Sequence, residues 1–140
     1  MILCPRTLLL VTLLFLLVGC SKTADPVDYG KLVERNGLHY EVNQKTPFTG
    51  KVFETYWTGR IEWEGTFKDG NLDGKCTEWY ENGQKAEECT YKDGKEDGKA
   101  TSWHENGQLW AEETFKDGKV IAEKEWDEDG NPKVSSRNGY

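Results

Sequence analysis

The sequence predicts an all-β fold, an antiparallel meander of stacked 24-residue β-hairpin repeats, and three observations predict it. Gly50-Lys51, Gly74-Lys75 and Gly98-Lys99 recur every 24 residues, as do Lys68-Asp69-Gly70, Lys92-Asp93-Gly94 and Lys116-Asp117-Gly118. Asn82-Gly83 and Asn106-Gly107 each separate two segments with β-forming residues, the strongest short-range hairpin signal. After residues 1–19 no segment sustains a helical period. Hairpins punctuated by Lys-Asp-Gly stretches can pair only with their sequence neighbours, which gives a meander.

Residues 1–19 read as a secretory signal: Arg6 supplies the positive start and Leu8 to Val18 an apolar run of eleven residues. A bilayer span needs about twenty. The run ends at Leu17-Val18-Gly19-Cys20, which resembles the lipobox of bacterial lipoproteins. That resemblance implies cleavage before Cys20, a diacylglyceryl thioether on its sulfur and an acyl chain on the new amino group. Two or three chains anchor a protein stably where one is marginal. An ordinary cleaved signal with an incidental cysteine is the plainer alternative. Ser21 follows Cys20; by the sorting rule for such lipoproteins, the lack of Asp there directs the protein to the outer membrane, periplasmic side, of a Gram-negative cell. Residues 20–28, with Pro26 and no apolar period, read as a lipidated tether.

Residues 29–49 form a degenerate opening hairpin, with Asn36-Gly37 between Leu32-Val33 and Leu38-His39-Tyr40. Repeat copies then occupy 50–73, 74–97 and 98–120, a partial copy runs over 121–130 through Trp126, and 131–140 is a tail. Cys4 leaves with the signal and Cys20 carries lipid, so Cys76 and Cys89 are the remaining thiols of an exported chain, where a pair invites a disulfide. With Asn82-Gly83 as a two-residue turn closed by residues 81 and 84, Cys76 faces Cys89 at a non-hydrogen-bonded site, Cα atoms about 4.5 Å apart. The alternative is two small hydrophobes, equivalent to Val52 and Ala100 opposite Gly65 and Glu113.

The same register sorts side chains by face. One face collects Val52, Tyr56, Ile61, Trp63, Phe67, Tyr80, Tyr91, Leu109 and Phe115 and is the core side. The other collects Phe53, Trp57, Trp79, Trp103, Trp110 and Trp126 among Glu62, Glu64, Glu81, Glu88, Glu105 and Glu112, with Trp103 directly opposite Trp110. No helix is available to cover a second face, so the tryptophans form an acid-rimmed stripe, unless the sheet curls and buries it. Trp79, Trp103 and Trp110, supported by Glu105 and Glu112, are the expected partner contacts.

Trp-Tyr-Glu-Asn-Gly-Gln, then Tyr-Lys-Asp-Gly-Lys, then Asp-Gly-Lys at 24-residue spacing resembles the bacterial variant of the MORN repeat over about residues 47–130. The resemblance implies stacked hairpins without a catalytic centre, and many such bacterial proteins carry the label of YwqK-like antitoxins. The lipoprotein signal departs from that pattern, and a toxin acting in the cytoplasm would be out of reach of an exported chain.

Other chemistry is sparse. His39 and His104 are the only histidines, and His104 stands where the other copies have Tyr56 and Tyr80, which favours a repeat-filling aromatic over a general base. Carboxylates recurring in every copy read as a solvated face rather than an acid/base pair. Glu125-x-Asp127-x-Asp129-Gly130 resembles a calcium loop, but Ser136 stands at its twelfth position and Asp129-Gly130 matches the repeat's turn. No metal, dissociable cofactor or catalytic residue is expected. A net charge of −7 argues against nucleic acid. The expected partners are the membrane, through the lipid on Cys20, and a protein: a toxin, in a module of immunity or antitoxin type, or an envelope protein. Two further readings are an envelope scaffold or spacer lipoprotein and, less favoured, a glycan or peptidoglycan binder.

Overall fold

A computed structural model describes residues 25–133. The expected signal at 1–19, the lipidation site Cys20 and the tail beyond residue 133 lie outside the described residues. The chain is all-β. Strand β1 (Val27–Asp28) is followed by a 3-10 turn, Tyr29–Lys31, and a separate hairpin of β2 (Leu32–Arg35) and β3 (Leu38–Glu41). The main sheet runs through β4 (Gly50–Thr55), β5 (Ile61–Lys68), β6 (Asn71–Leu72), β7 (Gly74–Trp79), β8 (Lys85–Lys92), β9 (Lys95–Glu96), β10 (Gly98–Trp103), β11 (Leu109–Lys116) and β12 (Lys119–Glu125). Each strand pairs antiparallel with its sequence neighbour, β6 and β9 being short continuations across the Asp-Gly turns. β1 is the exception: the end of the segment read as a tether lies parallel to β4, Val27 beside Val52.

The two kinds of turn exchange the roles that the sequence suggested. Lys-Asp-Gly forms the tight two-residue turns: Asp93 and Gly94 both have positive φ (49° and 79°), and Lys92 pairs with Lys95. Positive φ at both central residues is the type I′ pattern that matches strand twist. Asn36-Gly37 does the same in the opening hairpin. Asn82-Gly83 does not. Gly83 alone is left-handed (φ 89°), its N–H donates to the Tyr80 carbonyl at 2.8 Å, and the Tyr80 N–H donates to Gln84. The Asn82 carboxamide oxygen captures the Gln84 N–H at 2.8 Å, so asparagine acts here through its side chain rather than through a left-handed backbone.

The longer turn is followed by a bulge in each copy. Thr55 pairs with Ile61 but Glu54 with Trp63; Trp79 with Lys85 but Glu78 with Glu87; Trp103 with Leu109 but Ser102 with Ala111. Glu62, Ala86 and Trp110 are therefore extra residues without a cross-strand partner.

Successive copies are tied at both ends of their strands. At the Asn-Gly end the Tyr56 hydroxyl donates to the Trp79 carbonyl (2.7 Å), the Tyr80 hydroxyl to that of Trp103 (2.8 Å), and His104 Nε2 lies 3.3 Å from that of Trp126. At the Asp-Gly end the N–H groups of Gly70, Gly94 and Gly118 donate to Phe48, Leu72 and Glu96. Repeat identity is thus written into side chains that reach the next copy. Tyr80→Phe is expected to cost about 1 kcal/mol, the net worth of one such bond, read as a lower urea midpoint at unchanged slope.

A single sheet has no second layer, and its core is correspondingly small. Val52, Cys76, Cys89 and Ala100 form a transverse row of small buried residues, with Phe67 and Ala111 also buried. Trp63, Tyr91 and Phe115 pack against the middle of that row. The N-terminal end is closed by an aromatic cluster in which Tyr29, His39 and Phe48 surround Phe67, the His39 and Phe67 ring centroids 4.9 Å apart. The opening hairpin is docked there through backbone bonds between His39 and Gly70 and between Phe48 and His39.

Candidate partner-binding face

Strand alternation and the register divide the sheet into a core face and an outer face. Going outward from the Asn-Gly turns, the bulges move side chains from where strict alternation would put them. Ile61 and Leu109, expected on the core side, share the outer face with Trp79 and Trp103. Trp110 is carried to the core face, where its ring stands 6.2 Å from that of His104 and 45% of its surface is exposed. Leu109, not Trp110, is opposite Trp103. The expected Trp103/Trp110 pair is therefore corrected: one extra residue per hairpin reverses the parity of everything between the bulge and the turn.

Trp79 and Trp103 do come together on the outer face, with Lys85 between them. Lys85 pairs with Trp79 across β7 and β8 and its Nζ lies 5.8 Å from the Trp103 ring centroid, a cation–π contact. Ile61 and Leu109 extend the row to either side, and Trp126 occupies the matching place beyond. The result is a transverse stripe of apolar side chains with a cation at its centre. A shallow groove of about 620 Å³ opens beside it, walled by Phe53, Ile61, Trp79 and Lys85.

The charges around the stripe are unlike on its two sides. Toward the strand centres, carboxylates are matched by lysines: Glu88 bonds both Lys75 (2.8 Å) and Lys85 (2.6 Å), and Glu112 bonds Lys99 (2.6 Å). These bonds hold the Glu88 and Glu112 carboxyls below their ordinary range. Glu112 is thus paired with Lys99 on the outer face. Toward the turns the balance is acidic: Glu81, Glu105 and Glu128 stand at corresponding positions, their carbonyls accepting bonds from Arg60, Asn82 and Asn106. Burial, followed by the negative charge of Glu62, Glu78, Glu81 and Glu105, holds the Tyr56 hydroxyl above its ordinary value. Glu105 therefore belongs to a rim on one side of the stripe, with its side chain exposed.

The core face carries further carboxylates that the sequence reading did not single out. Glu54, Trp63, Glu78 and Glu87 lie in one cross-strand row. Partial burial, then repulsion from Glu78, Glu96 and Glu113, holds the Glu87 carboxyl above the ordinary carboxylate range. Glu54, Glu62 and Glu78 line a groove of about 520 Å³ against Tyr29, Trp63 and Phe67. The cross-strand pairings of the repeat signal this row once the bulge is placed; without it Glu62 and Glu78 fall on different faces.

Both histidines make contacts within the fold. His39 uses both ring nitrogens, Nε2 on the Tyr29 hydroxyl (3.1 Å) and Nδ1 on the Gly70 carbonyl (3.3 Å), and His104 takes the place of the repeat tyrosines. Among the described residues no three His, Cys, Asp or Glu side chains are grouped to hold a metal ion, and no helix is long and apolar enough to cross a membrane.

Fold and surface together define a repeat protein of stacked antiparallel hairpins. Residues 72–93 and 96–117 match the MORN repeat variant, two consecutive copies in the 24-residue phase of the sequence. The first copy and the partial fourth lie outside the matched segments, yet share their turn: the Gly59 N–H donates to Tyr56 and that of Gly130 to Asp127. The matched repeat is of a non-catalytic, binding type and points to a binding or scaffold module. No curated protein and no solved structure matches the chain.

Proposed function

We propose that this is a lipid-anchored protein of the cell envelope whose repeat sheet binds a protein partner in the manner of an immunity protein or antitoxin. The observation that carries this reading is the outer-face stripe. Two half-buried tryptophans flanking a lysine, continued by the exposed Ile61 and the half-buried Leu109, lie across several strands on the outer face. Exposed aromatic patches with a polar rim are what protein interfaces are built around. The acidic turn edge beside it, Glu81, Glu105 and Glu128, suits a partner with a basic patch and would speed encounter.

The lipobox-like Leu17-Val18-Gly19-Cys20 supports anchoring through diacylglyceryl and N-acyl groups on Cys20, with Ser21 favouring the outer membrane, periplasmic side. An exported antitoxin-like protein meets toxins that enter or act in the envelope, not cytoplasmic ones. Cys20→Ser is expected to move the protein from the membrane pellet to the soluble fraction, and unchanged partition would remove the anchor. The binding reading is tested by crosslinked capture from the protein's own membranes. A basic envelope or secreted protein taken by wild type and not by the stripe variant supports it. The same abundant envelope proteins taken by both would favour the scaffold, with the tryptophans serving only the sheet.

A further inference from the structure

Cys76 and Cys89 are directly opposite across β7 and β8, and each is only 5% exposed. They sit at the centre of the transverse row of small side chains, where the flanking hairpins place Val52 opposite Gly65 and Ala100 opposite Glu113. This hairpin alone carries sulfur on both strands. The register is the one expected from sequence, but its phase is different. Tyr80 and Gln84 form the first hydrogen-bonded pair, Trp79 and Lys85 are the non-hydrogen-bonded pair that follows, and Ala86 is bulged. Counting across the bulge makes 76/89 a hydrogen-bonded pair, with Cα atoms about 5.5 Å apart rather than about 4.5 Å. That spacing is within the range most disulfides occupy.

We propose that Cys76 and Cys89 close a cross-strand disulfide in the exported protein, stapling the central hairpin on the core face. The step rests on the export reading, because an oxidising compartment is what supplies the electron acceptor. Two S–H bonds break and one S–S bond forms. The two electrons and two protons pass, through a mixed disulfide, to the disulfide of a thioredoxin-like oxidase, which leaves as a dithiol. Because Trp63 and Tyr91 pack against the cluster that holds Cys76 and Cys89, oxidation is expected before the sheet closes, and slow reduction of the finished bond in the folded protein.

The test is the intact mass and thiol count of the full-length gene product recovered from its own membranes and alkylated under denaturing, non-reducing conditions. The expected product carries no adduct on Cys76 or Cys89 and gains two adducts only after reduction. Its polypeptide is lighter by about 2 Da than the reduced form. Reduction is expected to lower the melting temperature by on the order of 10 °C, and the Cys76→Ser/Cys89→Ser variant to melt with the reduced protein. Two adducts without reduction, on a chain that begins at Cys20, would overturn the proposal. The same spectrum reports the N-terminus: a thiol-bearing chain still beginning at Met1 means that export has failed. The purified protein, refolded with oxidised and reduced glutathione, then decides the pairing. An internal cross-link upholds it, and glutathione adducts or free thiols overturn it.

Discussion

Alanine at both Trp79 and Trp103 is expected to reduce partner capture at least about 100-fold, while alanine at Trp110 leaves it unchanged. Buried interface tryptophans commonly contribute about 2 kcal/mol or more each when truncated, and 1.4 kcal/mol is tenfold in affinity. The asymmetry follows from the bulges: Trp79 and Trp103 stand in one row on the outer face, and Trp110 lies on the other side of the sheet beside His104. All three are tryptophans at similar distances from a turn, so a loss due to general surface hydrophobicity would appear in every variant. Trp79 and Trp103 are partly buried, so thermal unfolding must accompany the capture assay. Lys85→Glu supplies a second approach, because it keeps both rings and puts a like charge beside Glu88 where the Lys85 ion pair stood. It too is expected to weaken capture. Equal capture by wild type and the Trp79/Trp103 variant would remove the stripe as the binding surface. If the acidic rim steers encounter, association with a basic partner slows as salt rises, with little change in dissociation.

The repeat was legible because its period is carried by residues with special backbone demands. Asp-Gly and Asn-Gly recur where the chain must reverse, and spacing alone placed the strands, the pairing of Cys76 with Cys89 and the small residues of the central row. What alternation could not supply was the extra residue at Glu62, Ala86 and Trp110. Asn-Gly is compatible both with a two-residue turn and with a longer one that takes a left-handed glycine and is followed by a bulge. The two choices give the same register far from the turn and opposite faces close to it. Cys76 therefore faces Cys89 as the spacing predicts, while Ile61, Glu62, Leu109 and Trp110 lie on the faces opposite to those that strict alternation predicts. The repeat itself held a clue. Tyr56, Tyr80 and His104 recur at the last position before the turn, and each reaches the neighbouring copy; a turn beginning at these residues rather than one position later leaves that aromatic at the strand's end. The parallel pairing of Val27 with Val52 had no signal, since a two-residue strand shows no period.

Gly65→Ala is expected to destabilise the protein by about 1–3 kcal/mol, and to do the reverse when Trp63 is absent. A Cβ at Gly65 would come within 2.5 and 2.6 Å of two Trp63 ring carbons and 3.0 Å of Leu72, so the indole has to leave its seat or the strands have to part. No backbone strain is involved, because Gly65 is not among the residues with positive φ. The cost comes from packing alone. The repeat contains its own comparison: where this copy has Trp63 and Gly65, the next has Glu87 and Cys89, and the third Ala111 and Glu113. The large ring occurs with the missing side chain, and the smaller neighbours occur with larger ones. In a Trp63→Ala background the same Gly65→Ala change meets only the end of the Leu72 side chain at 3.0 Å, which can turn away into the space the indole leaves, and it replaces glycine within a strand, which is expected to stabilise by about 0.5–1 kcal/mol. The two substitutions are thus coupled by at least about 1.5 kcal/mol, a sign reversal that additive behaviour cannot produce. Urea unfolding of the four proteins in the cycle measures it. Additivity within about 0.5 kcal/mol would mean that Trp63 does not lie over Gly65, and that the aromatic cover of the small-residue row is built some other way.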